Sequence, residues 1–337
     1  LDFRPVSWLS ARDMIPQLSL RRPTVFSVAL LLTLLPAATS RAVPTSNATV
    51  TAAITPALRI NEVLAANTRI ANGTTFPDLI EIHNAGATAV DLSGKSLTDD
   101  PALPRKYIFP AGTNIAAGGY LLVYADDATT APGLHTGFSL DAEGDQVRLL
   151  DTTAAGGSLL DSIIFGFQVP DLSISRTGAG ANIWALTTPT AGATNGAALT
   201  LAGPAAVRVN EWAGNIVFRL DHDMIELYNT VSQPVALGGV RLTDDIAPGK
   251  GYTFPPLSFV ASTGFLPLYK GDYLFGLNGD RATVTLLGDN NEQIDQITMI
   301  AQPDDRSSGR SPDGSGNIVT FNIPTPGLAT TASSAPA

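Results

Sequence analysis

Two pairs of adjacent aspartates are the residues whose type and position could do chemistry. Asp99-Asp100 and Asp244-Asp245 stand at matching places in two similar halves of the chain. Calcium takes about six to eight oxygen ligands, so carboxylates clustered in loops suit it. Aspartate is also favoured in turns, where its side chain bonds the local backbone. No segment keeps the spacing of an EF-hand loop, so we expect turn structure here and keep Asp99, Asp100, Asp244 and Asp245 as the calcium candidates.

The sequence shows no residue set for nucleophilic or metal-assisted catalysis. Cysteine is absent, which excludes disulfides, thiolate metal sites and a cysteine nucleophile. The three histidines are His83, His135 and His222, and the first and last are matched by Tyr228 and Pro77 in the other half. A histidine with a role common to both halves would be kept in both. With no G-x-S-x-G, P-loop or H-E-x-x-H motif either, we predict that the chain is not an enzyme and, calcium aside, carries no cofactor.

Acidic and amide residues recur as pairs in the two halves. The pairs are Glu62/Glu211, Glu81/Glu226, Asn61/Asn210 and Asn84/Asn229. The glutamates neighbour alternating apolar residues on predicted strands, so we expect them on the solvent face or paired across strands with Arg59 and Arg208. The asparagines are expected to bond strand ends and turns rather than a ligand.

The halves that carry these pairs form an internal repeat. Segments that recur in the same order are Arg59–Glu62 with Arg208–Glu211, Asp78–Asn84 with Asp223–Asn229, Leu97–Asp100 with Leu242–Asp245, and Tyr107–Pro110 with Tyr252–Pro255. The offset is constant at 145 from Asp78 to Leu121 and becomes shorter beyond, as expected when a loop has lost residues. Both copies close on a Thr-Pro signature, Thr188-Pro189-Thr190 and Thr325-Pro326-Gly327.

The N-terminus has the pattern of an export signal. Arg21 and Arg22 precede an apolar run over Val25–Leu35, and Ser40-Arg41-Ala42 resembles a cleavage site. The run is too short to span a bilayer comfortably, so we predict a signal peptide over 1–42, with 1–13 an artefact upstream of Met14. The first 42 residues hold five Arg and two Asp, which leaves 15 basic and 28 acidic residues and a net charge of −13. Such acidity disfavours nucleic acid as a partner.

Composition and turn spacing predict an all-β fold. Glycine (31) and proline (24) occur in clusters between short apolar-alternating segments, which is typical of strands joined by turns. We predict two tandem antiparallel β-sandwiches of immunoglobulin type, at 58–196 and 207–330. A Thr/Ala/Pro linker at 43–57, an Ala-rich linker at 197–206 and a tail at 331–337 separate or flank them.

The repeated segments resemble the lamin-tail domain. The resemblance rests on Ile60–Glu62, Asp78–Asn84, Val90–Gly94, Leu97–Asp100, Phe109-Pro110, Gly119–Tyr124 and the closing Thr-Pro, in that order and twice. The second copy departs from it at Leu266-Pro267-Leu268 and at Gly238, which stands for Ser93. The resemblance implies an immunoglobulin-like sandwich and brings no catalytic residues. It also implies accessory or surface-binding roles in secreted bacterial proteins, beside nuclease, phosphatase or spore-coat-kinase-like domains.

We therefore expect a non-catalytic binding or structural protein that is exported to the cell surface, the medium or the periplasm. Its expected partner is another protein or a cell-surface polysaccharide, and we expect no transmembrane segment in the mature chain. The alternative is the accessory N-terminal region of a larger exported enzyme, since residues 331–337 have the composition of a linker.

Overall fold

The structure is a computed structural model that describes residues 58–177, 183–214, 223–273, 275–277, 281–300 and 302–330. The predicted signal peptide, the linker at 43–57, the tail at 331–337 and His222 lie outside the described residues.

The N-terminal half is built from eleven described strands in three antiparallel sheets. The strands are β1 (Leu58–Leu64), β2 (Asp78–Asn84), β3 (Val90–Asp91), β4 (Ser96–Thr98), β5 (Tyr107–Ile108), β6 (Asn114–Ile115), β7 (Tyr120–Ala125), β8 (Asp145–Leu150), β9 (Leu159–Phe165), β10 (Ser173–Thr177) and β11 (Ile183–Thr187). The sheet orders are β11-β10-β1-β2-β7, β5-β4-β8-β9 and β3-β6. A short 3-10 helix, Thr153–Ala155, joins β8 to β9.

The C-terminal half repeats this arrangement. A 3-10 helix, Pro204–Ala206, leads into it. Its strands are β12 (Val207–Ala213), β13 (Met224–Asn229), β14 (Val235–Ala236), β15 (Arg241–Thr243), β16 (Tyr252–Thr253), β17 (Phe259–Val260), β18 (Phe265–Tyr269), β19 (Arg281–Leu287), β20 (Gln293–Ile300), β21 (Ser307–Arg310) and β22 (Ile318–Phe321). The orders β22-β21-β12-β13-β18, β16-β15-β19-β20 and β14-β17 match those of the first half strand for strand. The all-β prediction is confirmed, and Pro267 is accommodated in the edge strand β18, as proline in a sheet requires.

A β-bulge interrupts the first strand of each half. In β1, Ile60 lies opposite Ile82, but Glu62 lies opposite Glu81, so Asn61 is the extra residue. The same shift occurs in β12 between Val209 and Glu211. A bulge re-aims the side chains that follow it. The core residues of β1 are consequently Ile60 and Val63. Glu62 lies on the other face of the sheet, outside this core.

The two halves exchange an aromatic side chain. Phe167 of the N-terminal half packs in the core of the C-terminal half, where its ring centroid lies 5.9 Å from that of Phe254. Phe259 of the C-terminal half packs in the core of the N-terminal half. The backbones of these segments are joined, because Phe259 N–H donates to the Phe167 carbonyl (2.7 Å) and Gly166 N–H donates to the Pro256 carbonyl (3.1 Å). All described residues consequently belong to one compact unit.

Candidate functional site

The four candidate aspartates sit in matching turns after β4 and β15. The backbone N–H of Asp100 donates to the hydroxyl of Thr98, and that of Asp245 donates to the hydroxyl of Thr243 (3.0 Å each). Their carboxylates accept N–H groups two residues on, from Ala102 (2.8 Å) and Ala247 (3.0 Å). These are the local bonds that favour aspartate in turns.

The other aspartate of each pair has different surroundings in the two halves. Asp99 pairs with Lys106 (2.6 Å), and Asp244 is exposed. Within the described ranges, no group of three or more His, Asp or Glu side chains could hold a metal ion. The calcium hypothesis stays a prediction. If it is right, millimolar calcium should raise the melting temperature above that in chelator, and Asp100→Ala should lower the gain.

The repeated glutamates form a buried cluster that sequence reasoning misplaced. We expected them on the solvent face or paired with Arg59 and Arg208, but Glu62, Glu81, Glu211 and Glu226 are all buried. The bulge places them opposite each other across the strands, and the segment that closes each half covers them. The expected arginine partners bond elsewhere in the second copy, where Arg208 donates to backbone carbonyls.

In the N-terminal half, the glutamates hold the closing segment by its backbone. Glu62 accepts the N–H (2.9 Å) and the hydroxyl (2.8 Å) of Thr190. Glu81 accepts the Gly192 N–H (2.5 Å) and the side-chain amide of Asn61 (2.7 Å). Buried carboxylates must find such donors, because an unsatisfied buried charge is costly.

The C-terminal half uses the same clamp on its own closing segment. Glu211 accepts the N–H (3.0 Å) and hydroxyl (2.6 Å) of Thr325, and Glu226 accepts the Gly327 N–H (2.6 Å). Thr325 is thus the partner of Thr190 in structure. Aligning the two Thr-Pro signatures matches Thr325 with Thr188, and this alignment is wrong by two residues. In each half the threonine bound by the glutamate stands two positions before the bound glycine, Gly192 or Gly327.

Burial changes the acidity of these carboxyls. It raises the pKa of Glu81 from its ordinary 4.5 to about 7, with the Glu62 charge adding to the effect and the bonds from Asn61 and Gly192 opposing it. Burial raises the pKa of Glu226 to about 8, with further increases from Glu211 and Asp313. The pKa of Glu211 is also raised by burial. A pair of carboxyls with shifted pKa values can mark a catalytic site. Here the carboxylate oxygens accept hydrogen bonds from the protein's own closing segment and from the bulge asparagine.

The asparagines follow two different rules. Asn84 donates to the carbonyls of Thr88, Ile115 and Ala116 and accepts from Gly86, and Asn229 bonds its turn in the same way. That prediction of turn bonding is confirmed. The bulge residues Asn61 and Asn210 instead bind the buried glutamates, in mid-strand.

His135 makes the closest contact between a histidine and a carboxylate in the described residues. Its Nδ1 lies 2.6 Å from the Asp126 carboxylate, its ring stacks on Tyr124 and its Nε2 contacts Asn72 and the Pro132 carbonyl (3.2 Å each). The side chain is buried, and both ring nitrogens have protein partners. His135 therefore fastens its loop to β7. His83 stacks on Tyr120 with ring centroids 4.5 Å apart.

Comparison with known proteins finds one family likeness, in the N-terminal half. Residues 51–166 match the family model of the Lamin Tail Domain. The matched range contains strands β1 to β9, including the clamp glutamates Glu62 and Glu81. The chain matches no curated protein and no solved structure. No helix among the described residues is long and apolar enough to cross a membrane.

Proposed function

We propose that this protein is an exported, non-catalytic binding or structural protein made of two tandem lamin-tail-like sandwiches. The observation that carries the proposal is the reciprocal exchange of Phe167 and Phe259, which fuses two like sandwiches into one unit. A fixed pair of sandwiches presents its loops at constant spacing. That is of use to a module that binds an extended partner, such as a cell-surface polysaccharide or another protein.

The second copy is proposed from two independent likenesses to the first. The strand orders of the halves agree, and so do the bulge and the clamp, down to the two Thr N–H and hydroxyl bonds. The buried polar residues of each half bind that half's own closing segment. This use is what a structural role for those residues requires, and it supports a scaffold over a hydrolase.

Binding by the exported form tests the role. The mature protein, residues 43–337, should bind a glycan on an array or capture a defined surface protein after chemical cross-linking in the native host. The matched control is the same protein unfolded by heat, which should bind nothing. Hydrolysis by the purified protein that is lost on substituting Asp99 or Asp244 would instead show an enzyme.

Export has a separate test. N-terminal sequencing of the protein from the medium or cell envelope should begin at Val43. Leu31→Arg, which interrupts the apolar run, should leave the uncleaved chain in the cytoplasm, whereas Ala48→Arg beyond the cleavage site should not. A full-length N-terminus on exported protein would contradict the proposed signal peptide.

A further inference from the structure

A cavity of about 720 Å³ lies where the two halves meet. One wall is formed by β11, with Trp184, Ala185 and Leu186, and by the connecting segment that follows it. The opposite wall belongs to the C-terminal half and is formed by Ala236, Gly238, Gly239, Thr253, Phe254 and residues 256–259. Ligand sites are commonly found at such junctions and have volumes of roughly 300–1,000 Å³.

Backbone hydrogen bonds hold both walls in place. Leu199 N–H donates to the Leu186 carbonyl (2.8 Å), which attaches the connecting segment to the edge of β11. On the other side, Gly239 N–H donates to the Phe254 carbonyl (3.0 Å). Phe259, which also lines the cavity, is anchored in the N-terminal core. The cavity is therefore formed before any ligand arrives, which lowers the entropic cost of binding.

The lining has no charged side chain. Among its residues only Thr253 and Ser258 carry hydroxyls, and Ser258 already donates to the Pro255 carbonyl (2.8 Å). The ring of Trp184 supplies flat apolar surface, whereas the ring of Phe254 is buried in the C-terminal core behind the cavity wall. The Arg176 guanidinium lies over Trp184, 4.5 Å from the ring centroid, but it is paired with Asp161 (2.8 Å) and so offers no charge to a ligand.

We propose that this junction cavity binds one uncharged apolar small molecule that carries an aromatic ring or a hydrocarbon chain. Burying a charged group against this lining would leave it without a partner, which is strongly unfavourable. A sugar would lose hydrogen bonds to water that the lining does not replace. The site goes beyond the proposed partner surface, and neither depends on the other.

Fluorescence titration of the full chain tests the site. The probe is N-phenyl-1-naphthylamine, with its sulfonate, 8-anilinonaphthalene-1-sulfonate, as the charged analogue, in high salt that screens the acidic surface. We expect saturable binding of one uncharged probe per chain and at least tenfold weaker binding of the sulfonate. No saturable signal, or equal affinity for both dyes, would overturn the proposal.

Two variants and a matched control locate the probe. Leu201, which lines the cavity, is 37% exposed, so Leu201→Asp adds a charge there at little cost to folding. Ala198→Trp fills space from an exposed position. Each should weaken binding at least tenfold, whereas Leu328→Asp, at a 65% exposed leucine outside the lining, should leave it unchanged.

Each other outcome is decisive. If all three variants bind the dye as tightly as the wild type does, the dye binds elsewhere and the site is refuted. Displacement of the dye by a saccharide would also refute it. Melting temperatures identify a variant that fails to fold, and the other variant then decides. If the wild-type protein binds a glycan or captures a protein but does not bind the dye, the cavity site is refuted and the proposed function is not.

Discussion

Glu226 is the residue whose substitution should change the pH dependence of stability most. It is fully buried, and its pKa is raised from 4.5 to about 8. In the wild type the Gly327 N–H donates to the Glu226 carboxylate over 2.6 Å. Glu226→Gln removes the ionisable group but keeps an oxygen that can accept this N–H. The other carboxylate contact, from Asn210, is 3.4 Å long, so little is lost when an amide nitrogen faces it.

The sign and size follow from proton linkage. Between pH 4.5 and 8 the folded state binds more protons at Glu226 than the unfolded state, so its contribution to stability falls as the pH rises. The contribution is complete below the unfolded pKa and lost as the pH passes the folded one. One pKa unit corresponds to about 1.4 kcal/mol, so the full span is on the order of 5 kcal/mol. The same reasoning gives on the order of 3 kcal/mol for Glu81, between pH 4.5 and 7.

Urea unfolding at pH 5, 6, 7, 8 and 9 measures this effect. The free energy of unfolding of the wild type should fall more steeply with pH than that of Glu226→Gln, and most of the difference should arise between pH 5 and 8. Glu81→Gln is the matched control in the other half, with a smaller difference that is complete near pH 7. Parallel curves for wild type and Glu226→Gln would refute the argument, because Asp78, whose pKa burial raises to about 6, contributes equally to both.

Further substitutions test the clamp and the junction. Thr325→Val removes the hydroxyl bond to a buried glutamate and should cost about 1–3 kcal/mol in urea unfolding, whereas Thr325→Ser should cost less. Gly166→Ala places a Cβ 2.0 Å from the Ser258 hydroxyl and should lower the free energy of unfolding by about 1–3 kcal/mol. Ser258→Ala in the same protein should partly restore it, whereas Gly203→Ala, whose Cβ meets no atom, should be neutral. Phe259→Ala should cost about 3–5 kcal/mol and should lower hydrogen-exchange protection in the N-terminal half, and unchanged protection there would contradict the interlocked cores.

The architecture could be predicted from the sequence because it depends on local pattern and repetition. Apolar residues at Ile80 and Ile82 face the core, as their alternation indicates, and the turn residues Asn84 and Asn229 bond their turns. The constant offset between the copies predicted two similar β-rich halves, and their strand orders agree. These features need only neighbouring residues or a second copy for comparison.

The clamp could not be predicted in this way because it depends on a register shift. Strict alternation in Ile60-Asn61-Glu62-Val63 assigns residue 62 to the same face as Ile60, whereas its charge favours the solvent face, so the two sequence rules disagree at this residue. The bulge instead makes Val63 the next core residue and turns Glu62 outward, beneath a segment about 130 residues away in the chain. A signal was present, since both copies place apolar residues at positions one and four of this motif, with Val209 and Trp212 in the second.

Comparison of the two clamps shows that the copies share a geometry and differ in charge. The bulge asparagine of the first half donates to the side chain of Asn195 (2.9 Å), which in turn donates to two backbone carbonyls. At the same place in the second half, Asn210 donates to the carboxylate of Asp313 (2.9 Å). An aspartate there completes the hydrogen bond but adds a negative charge, which raises the pKa of Glu226 further, whereas Asn195 adds none beside Glu81. The hydrogen-bond pattern is therefore what the fold requires of this position. Burial is the main cause of the raised pKa in both halves, and the Asp313 charge adds a smaller increase in the second half alone.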